Sequence, residues 1–211
     1  MERRGEAVTS LIDPTEVSAM VTSQARIATY VAAILDELGY DRENEHMVNT
    51  PDRHAKFLLE FAQNEGDTAA AKLLEAVFEE EHDSLVVVGP IAVKSMCAHH
   101  MVPVTGDAFV GYIPKTHVVG LSKLARVVHY YARQFTVQER ITQQVVNILM
   151  QELEPLGAMC VIDAEHGCMH IRGVEEPKAL TTTSAIRGVF KEDPHAKDEF
   201  LRMIQPRRRT Q

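Results

Sequence analysis

The chain has no tryptophan, and only 6% of its 211 residues are aromatic, so its core has to be built mainly from aliphatic side chains. Cysteine is scarce as well: three residues, an odd number without the spacing of a disulfide framework. That usage fits a reducing compartment, and a cytoplasmic location is expected. No apolar run approaches the ~20 residues that a membrane-spanning helix needs, so no membrane association is expected. Met1-Glu2-Arg3-Arg4-Gly5-Glu6 lacks the apolar centre of a signal peptide. Positive charge is in deficit, with 22 Lys and Arg against 30 Asp and Glu and a formal net charge of −8. That balance argues against nonspecific nucleic-acid binding. An anionic ligand has to be met by a local cluster of bases.

The first eighty residues read as helices. Asp13-Pro14-Thr15-Glu16 is a helix start, with Asp13 as cap, Pro14 at the first helical position and Glu16 completing a capping box. Val17, Met20, Val21, Ile27, Val31 and Ile34 continue a helical stripe that ends near Gly39. Thr50-Pro51 opens a second helix through roughly Gln63, and Asp67 a short third. From Ser84 the pattern changes to strands: 85–88 and 91–93 separated by Gly89-Pro90, then 109–113. Two helices follow, roughly Ser122 to Gln134 and Val137 to Leu153. Strands return at 159–162, Cys168 to Arg172 and Thr181 to Phe190, before a short helix at Ala196 to Ile204 and a solvated basic tail, Arg207-Arg208-Arg209. Strands, two consecutive helices, then strands predict an α+β fold with an antiparallel sheet. The expected division is a helical extension over 1–82, a catalytic domain over 83–205 and the tail over 206–211.

Cys97-Ala98-His99-His100 and the distant His166-Gly167-Cys168 carry the chemistry. Cys97 and His100 form a Cys-x-x-His pair that can bend around one ion, and Cys168 can close the site across the fold. Three protein ligands rather than four suit a catalytic zinc with an open position, although the same donors accept iron. His99 points elsewhere, close to the metal but not on it, which suits an acid–base group. On a regular strand His166, Cys168, His170 and Arg172 share one face. A lone cysteine is more often a small buried hydrophobe, and Cys160 is read that way. In Gly120-Leu121-Ser122-Lys123-Leu124-Ala125-Arg126, Ser122 sits where an N-cap belongs, with Lys123 and Arg126 on one face. Such a helix start is a phosphate site in the making, or simply a capped helix with a basic face. Thr136 and Glu139 have capping-box spacing, so from the residues alone Glu139 is read as a cap.

These segments together resemble the GTP cyclohydrolase I family. The resemblance runs from about Ser84 to Leu201 through Ser95-Met96-Cys97-Ala98-His99-His100, Gly111-Tyr112-Ile113-Pro114, Gly120 to Arg126, Val137-Gln138-Glu139-Arg140, Ala164 to Met169, Arg172-Gly173-Val174 and Thr183 to Phe190, with Thr50-Pro51-Asp52-Arg53 as an upstream echo. It implies the tunnelling fold, assembled as a homodecamer with active sites at subunit interfaces. It implies one Zn2+ per subunit on Cys97, His100 and Cys168, and hydrolysis of GTP at guanine C8. Formate leaves and 7,8-dihydroneopterin triphosphate forms. His99 would protonate N7 and His166 would shuttle a proton. Gln138 and Glu139 would hold the guanine edge, reversing the cap reading. Leu121, Ser122, Lys123, Arg126 and Arg172 would bind the triphosphate and ribose side, with Arg53 reaching in from a neighbouring subunit. Three positions depart from the family's usual pattern: Ala98 and His129 where acidic residues are common, and His54 where an apolar one is.

Overall fold

The structure is a computed structural model that describes residues 14–62 and 66–208, the side chains of 14–22 excepted. The Asp13 cap, Glu16, Val17, Met20, Val21, Gln63 and Arg209 of the sequence reading therefore lie outside the described residues or side chains. The chain divides into two compact units, residues 1–60 and 61–211.

The first unit is a pair of packed helices, α1 (Pro14–Glu37) and α2 (Thr50–Leu59). Proline stands in the first turn of each, where its missing N–H costs nothing and its fixed φ suits a helix. Gly39 takes a φ of 77° just past α1, a left-handed conformation that ends the helix while Tyr40 N–H bonds back to the Leu35 carbonyl at 3.0 Å.

The second unit begins with α3 (Asp67–Lys72), β1 (Val77–Glu79), β2 (Val86–Cys97), β3 (Pro103–Ile113) and β4 (His117–Val119). Next come α4 (Leu121–Ala132), β5 (Phe135–Thr136), α5 (Gln138–Leu153) and β6 (Gly157–His166). The chain closes with α6 (Gly167–His170), β7 (Thr181–Gly188), α7 (Val189–Glu192) and α8 (Pro194–Arg208). The main sheet has the order β5-β2-β3-β6-β7; β2, β3, β6 and β7 are antiparallel neighbours, and only the two-residue β5 pairs in parallel, with Met96 and Cys97. The two consecutive helices α4 and α5 sit between the strand pairs in sequence, as the tunnelling fold requires. The helix α3, grouped with the extension on sequence grounds, belongs to this unit. The Tyr130 and Tyr131 hydroxyls on α4 donate to the Gly66 carbonyl and to Asp67, each at 2.8 Å.

Period-two alternation divides the sheet between two cores. Ala108, Val110, Tyr112, Cys160 and Ile162 join Leu124, Val127, Val128, Ile141, Val145 and Leu149 of α4 and α5. Phe109, Met159 and Val161 join Phe190, Phe200 and Ile204 of α7 and α8. Both faces of β6 are thus covered, which is why 157–164 is buried without a break. Cys160 is a core residue, and burial alone pushes its thiol pKa far up.

Four local expectations are corrected. The segments on either side of Gly89-Pro90 form one strand, β2, whose pairing with β3 shifts register between Val88 and Ile91 and so steps over the proline, which has no N–H to give. The segment from Cys168 is not a strand: α6 takes its place, so His166, Cys168, His170 and Arg172 do not share a strand face. Ser122 is not the cap of α4, since Gly120 holds that place and Leu121 already begins the helix. Arg207 and Arg208 are not a solvated tail. They belong to α8, where Arg207 donates to the Gly89 carbonyl at 3.1 Å and Arg208 forks onto the buried carboxylate of Asp163, with one arm at 2.7 Å.

Candidate metal centre

The first half of the site is the turn that ends β2. Cys97 N–H bonds to the Val102 carbonyl and Met101 N–H to the Cys97 carbonyl, both at 2.9 Å, and Ala98 N–H reaches the Thr136 carbonyl at 3.2 Å. These bonds close the turn on itself and fasten it to β5. Met101 accepts a φ of 54° to let the chain reverse. Within this turn Cys97 points inward and is 5% exposed, while His99 and His100 stand at the surface with ring centroids 6.2 Å apart and planes crossed at 77°. The His100 ring turns toward Cys97, with Nδ1 3.7 Å from its sulfur.

The second half comes from the far end of β6. The pairing of Val104 with His166 sets the end of that strand beside the start of β3, and α6 then carries Cys168. Gly167 suits the close approach of α6 to β3: a Cβ there would stand 3.0 Å from the Pro103 carbonyl oxygen, tight enough that the backbone would have to give by a few tenths of an ångström.

The ligand atoms of Cys97, His100 and Cys168 converge, all within 4.8 Å of one another. Cys97 Sγ lies 3.7 Å from His100 Nδ1 and 3.9 Å from Cys168 Sγ. A tetrahedral ion with thiolate sulfur at ~2.3 Å and imidazole nitrogen at ~2.0 Å spaces its ligands about 3.5–3.8 Å apart. The three residues fit a metal ion with little movement. The thiols say the same by their chemistry. Burial first, then the hydrogen bond to Cys97 and its charge, raise the Cys168 pKa, with only Arg172 among the charged neighbours opposing. A divalent cation beside the Cys168 sulfur would remove that resistance to ionising.

Around this centre the other expected residues divide. His166 is partly buried, and Gln138 is 2% exposed. His166 Nε2 lies 2.8 Å from Gln138 Oε1, while Gln138 Nε2 donates to the Ile162 and Thr181 carbonyls at 2.9 and 3.0 Å. Burial holds the His166 pKa down, Glu139 raises it and His170 lowers it further. Both ends of the Gln138 amide are thus hydrogen-bonded within the fold. Glu139, next to it, is exposed in the first turn of α5. The capping-box reading of that turn fails: Val137 is the cap residue, no side chain caps the helix, and the buried Thr136 Oγ1 has no hydrogen-bond partner. The Glu139 carboxylate is thus not engaged as a cap.

Leu121 and Ser122 are exposed and Lys123 partly so at the start of α4, whose first N–H groups are uncapped by any side chain. The Val119 N–H donates to the buried Tyr112 hydroxyl at 3.0 Å, which fixes the entry to that helix. Arg126 is exposed one turn on and lines a depression of about 220 Å³ with Leu73, His129, Tyr130 and Arg133. Arg172 is exposed just after α6. Arg53 is exposed on α2 in the first unit. Sequence reasoning missed one structural tie of the site. His170 Nε2 meets the Ala179 carbonyl at 3.1 Å, closing the loop that carries Arg172, and no spacing signal announces it.

Comparison with known proteins gives a consistent result. Residues 27–205 match the family profile described as GTP cyclohydrolase I. The protein named GTP cyclohydrolase 1 from Rattus norvegicus is 41% identical over 179 residues, covering 85% of this chain and 74% of its own. The Homo sapiens protein of the same name is 40% identical over 179 residues, covering 85% and 72%. That from Chlorobium phaeovibrioides is 42% identical over 196 residues, covering 93% and 87%.

Proposed function

This chain belongs to the GTP cyclohydrolase I family, and from that premise we propose that it hydrolyses GTP at guanine C8, releasing formate and forming 7,8-dihydroneopterin triphosphate. The observation that carries the reading is the convergence of Cys97, His100 and Cys168 within 4.8 Å inside the matched region. The cofactor is Zn2+, one per subunit, whose borderline-soft character suits two thiolates and an imidazole. When bound there it supplies Lewis acidity where water adds to the purine ring.

The chain's own residues do the rest. His99, exposed on the turn beside the ligand His100, delivers a proton to N7 as the imidazole ring opens. His166, tethered through Nε2, moves a proton during hydrolysis of the resulting formamide. Glu139 accepts hydrogen bonds from the guanine ring N–H and exocyclic amine, a role its exposed carboxylate supports. The uncapped N-terminus of α4, with Leu121, Ser122 and Lys123, receives phosphate oxygens as a partial positive charge. Arg126 and Arg172 add full charges, which a chain of net charge −8 has to concentrate locally. Arg53 is assigned to the same ligand from a neighbouring subunit.

The proposed assembly is a homodecamer with sites at subunit interfaces. Two open sheet edges support a multi-subunit state: among the described residues β7 ends the strand order, and β2 is paired on its outer side only at Met96 and Cys97. Exposed edges of this kind seek another strand. Ile171, Val174 and Leu180 stand exposed on the loop that leads into β7, as residues of an interface would.

The test is incubation of purified, metal-assayed protein with GTP, following formate and a fluorescent pterin after oxidation. Stoichiometric formate with one zinc per chain supports the reading. Zinc-loaded protein that yields no formate refutes it.

A further inference from the structure

We propose that the pocket between β2 and α4 lined by Lys94, His129 and Arg133 binds a tetrahedral oxyanion, a phosphate group held apart from the metal centre. Two elements bring these three side chains together. His129 and Arg133, in the last turn and at the C-cap of α4, are four residues apart and so lie over one face of the helix. Lys94 comes from β2, where it alternates with the buried Val93 and Ser95. Ala92, two residues before Lys94 on the same side of the strand, adds only a methyl group and leaves the space between the cations open. The pocket measures about 120 Å³, the liquid volume of roughly four water molecules. That is well below the ~300 Å³ at which small-molecule sites begin. It suits one phosphate group and excludes a nucleoside.

The charges decide the class of ligand. Acidic residues outnumber basic ones in this chain, 30 to 22, yet none lines the pocket. Among the described residues neither Lys94 nor Arg133 forms a salt bridge. His129 feels both cations: after burial, Arg133 and Lys94 each lower its pKa, and no carboxylate raises it. One ring nitrogen donates to the Ala92 carbonyl, which ties the imidazole to the strand. The carbonyl end of a helix carries about half a negative charge, which disfavours an anion there. Two full cations outweigh it, and a protonated His129 adds a third. A dianion between them turns their mutual repulsion into charge-assisted hydrogen bonds. A carboxylate at position 129, common in the family, would pair with these cations itself; this chain has an imidazole there. A bound anion favours the charged ring, so affinity should rise as pH falls. The groups that face the ring are Arg126, Tyr130 and Arg133 on its own helix, Lys94 on β2 and Leu73 after α3, none of them a carboxylate.

The test is isothermal titration calorimetry on full-length, zinc-loaded protein, with ionic strength held constant by chloride so that screening does not vary. Inorganic phosphate and glycerol 3-phosphate are the probes. Binding of the first identifies free phosphate as a ligand; binding of the ester alone identifies a phosphate carried by a larger molecule. Binding should weaken by about tenfold or more in Lys94→Gln/Arg133→Gln, and persist in Lys123→Gln, at the start of the same helix. Ala92→Glu, which sets a carboxylate among the cations, is the second variant and should weaken binding to the same degree. Failure of both probes to bind overturns the proposal. So does loss of binding in Lys123→Gln with full retention in the two pocket variants, which would place the anion at the start of α4 instead. Sulfate, whose charge stays fixed from about pH 6 to pH 8, reports on the ring. It should bind about threefold tighter at the lower pH in wild type, and His129→Gln should bring the two affinities together. The same ratio in both proteins would overturn the place of His129 in the site.

Discussion

The two arms of the metal centre are built by opposite means. The Cys97–His100 arm is local: three residues of separation, a turn closed by its own backbone bonds, and a cysteine inserted into the main core. The Cys168 arm is tertiary. It depends on the register of β3 with β6, on a glycine that lets α6 approach Pro103, and on a helix of only four residues leading into an exposed loop. One arm is a rigid half-site, and the other is a closure that the fold delivers.

The largest expected effect comes from cutting each arm in turn. Both Cys97→Ala and Cys168→Ala should abolish turnover and reduce bound zinc well below one per chain, measured by metal analysis after dialysis. The metal-free proteins should differ. Cys97 is in the core, so its truncation should lower stability by about 1 kcal/mol, whereas Cys168→Ala should leave the urea midpoint of the metal-free protein near wild type. Equal losses would mean that the two arms are equally embedded. Next in size, His99→Ala should reduce kcat by roughly 10²–10⁴-fold, the usual worth of a general acid, with zinc retained. Loss of zinc would instead make His99 a ligand and redraw the local arm.

The smallest effect is expected outside both arms, at His129. Burial first, then Arg133 and Lys94, hold its pKa below the usual histidine value, against a hydrogen bond to Ala92. A depressed folded-state pKa means that the unfolded chain takes up protons first as pH falls. Stability should therefore decline from about pH 6.5 downward, until the folded imidazole itself titrates. His129→Gln should flatten this dependence slightly in urea melts at pH 7 and pH 5. An unchanged pH profile would remove His129 from the account.

The same contrast explains what was legible beforehand. The local arm follows from spacing, since Cys-x-x-His fixes geometry within one turn. The order of strands and paired helices was equally readable, because hydrophobic periods of two and 3.6 are local properties. The closure by Cys168 was anticipated, but by a strand that does not exist: period-two alternation in 166–172 carried no mark of the helix that β3 imposes there. The burial of Gln138 was not legible for a related reason. Its neighbours Ile162, Thr181 and His166 come from three other places in the chain, and no pattern around residue 138 announces them. The failed cap at Thr136 is the converse case, in which a good local motif yields to the pairing of Thr136 with Cys97.

Arg208 makes the strand that bears His166 answer to a distant helix. Its guanidinium meets Asp163, a buried carboxylate on β6 three residues before His166, and it lies 45 residues further along. A chain cut before α8 would leave that carboxylate with the Thr182 hydroxyl but without a cation, although Cys97, His100 and Cys168 were all present.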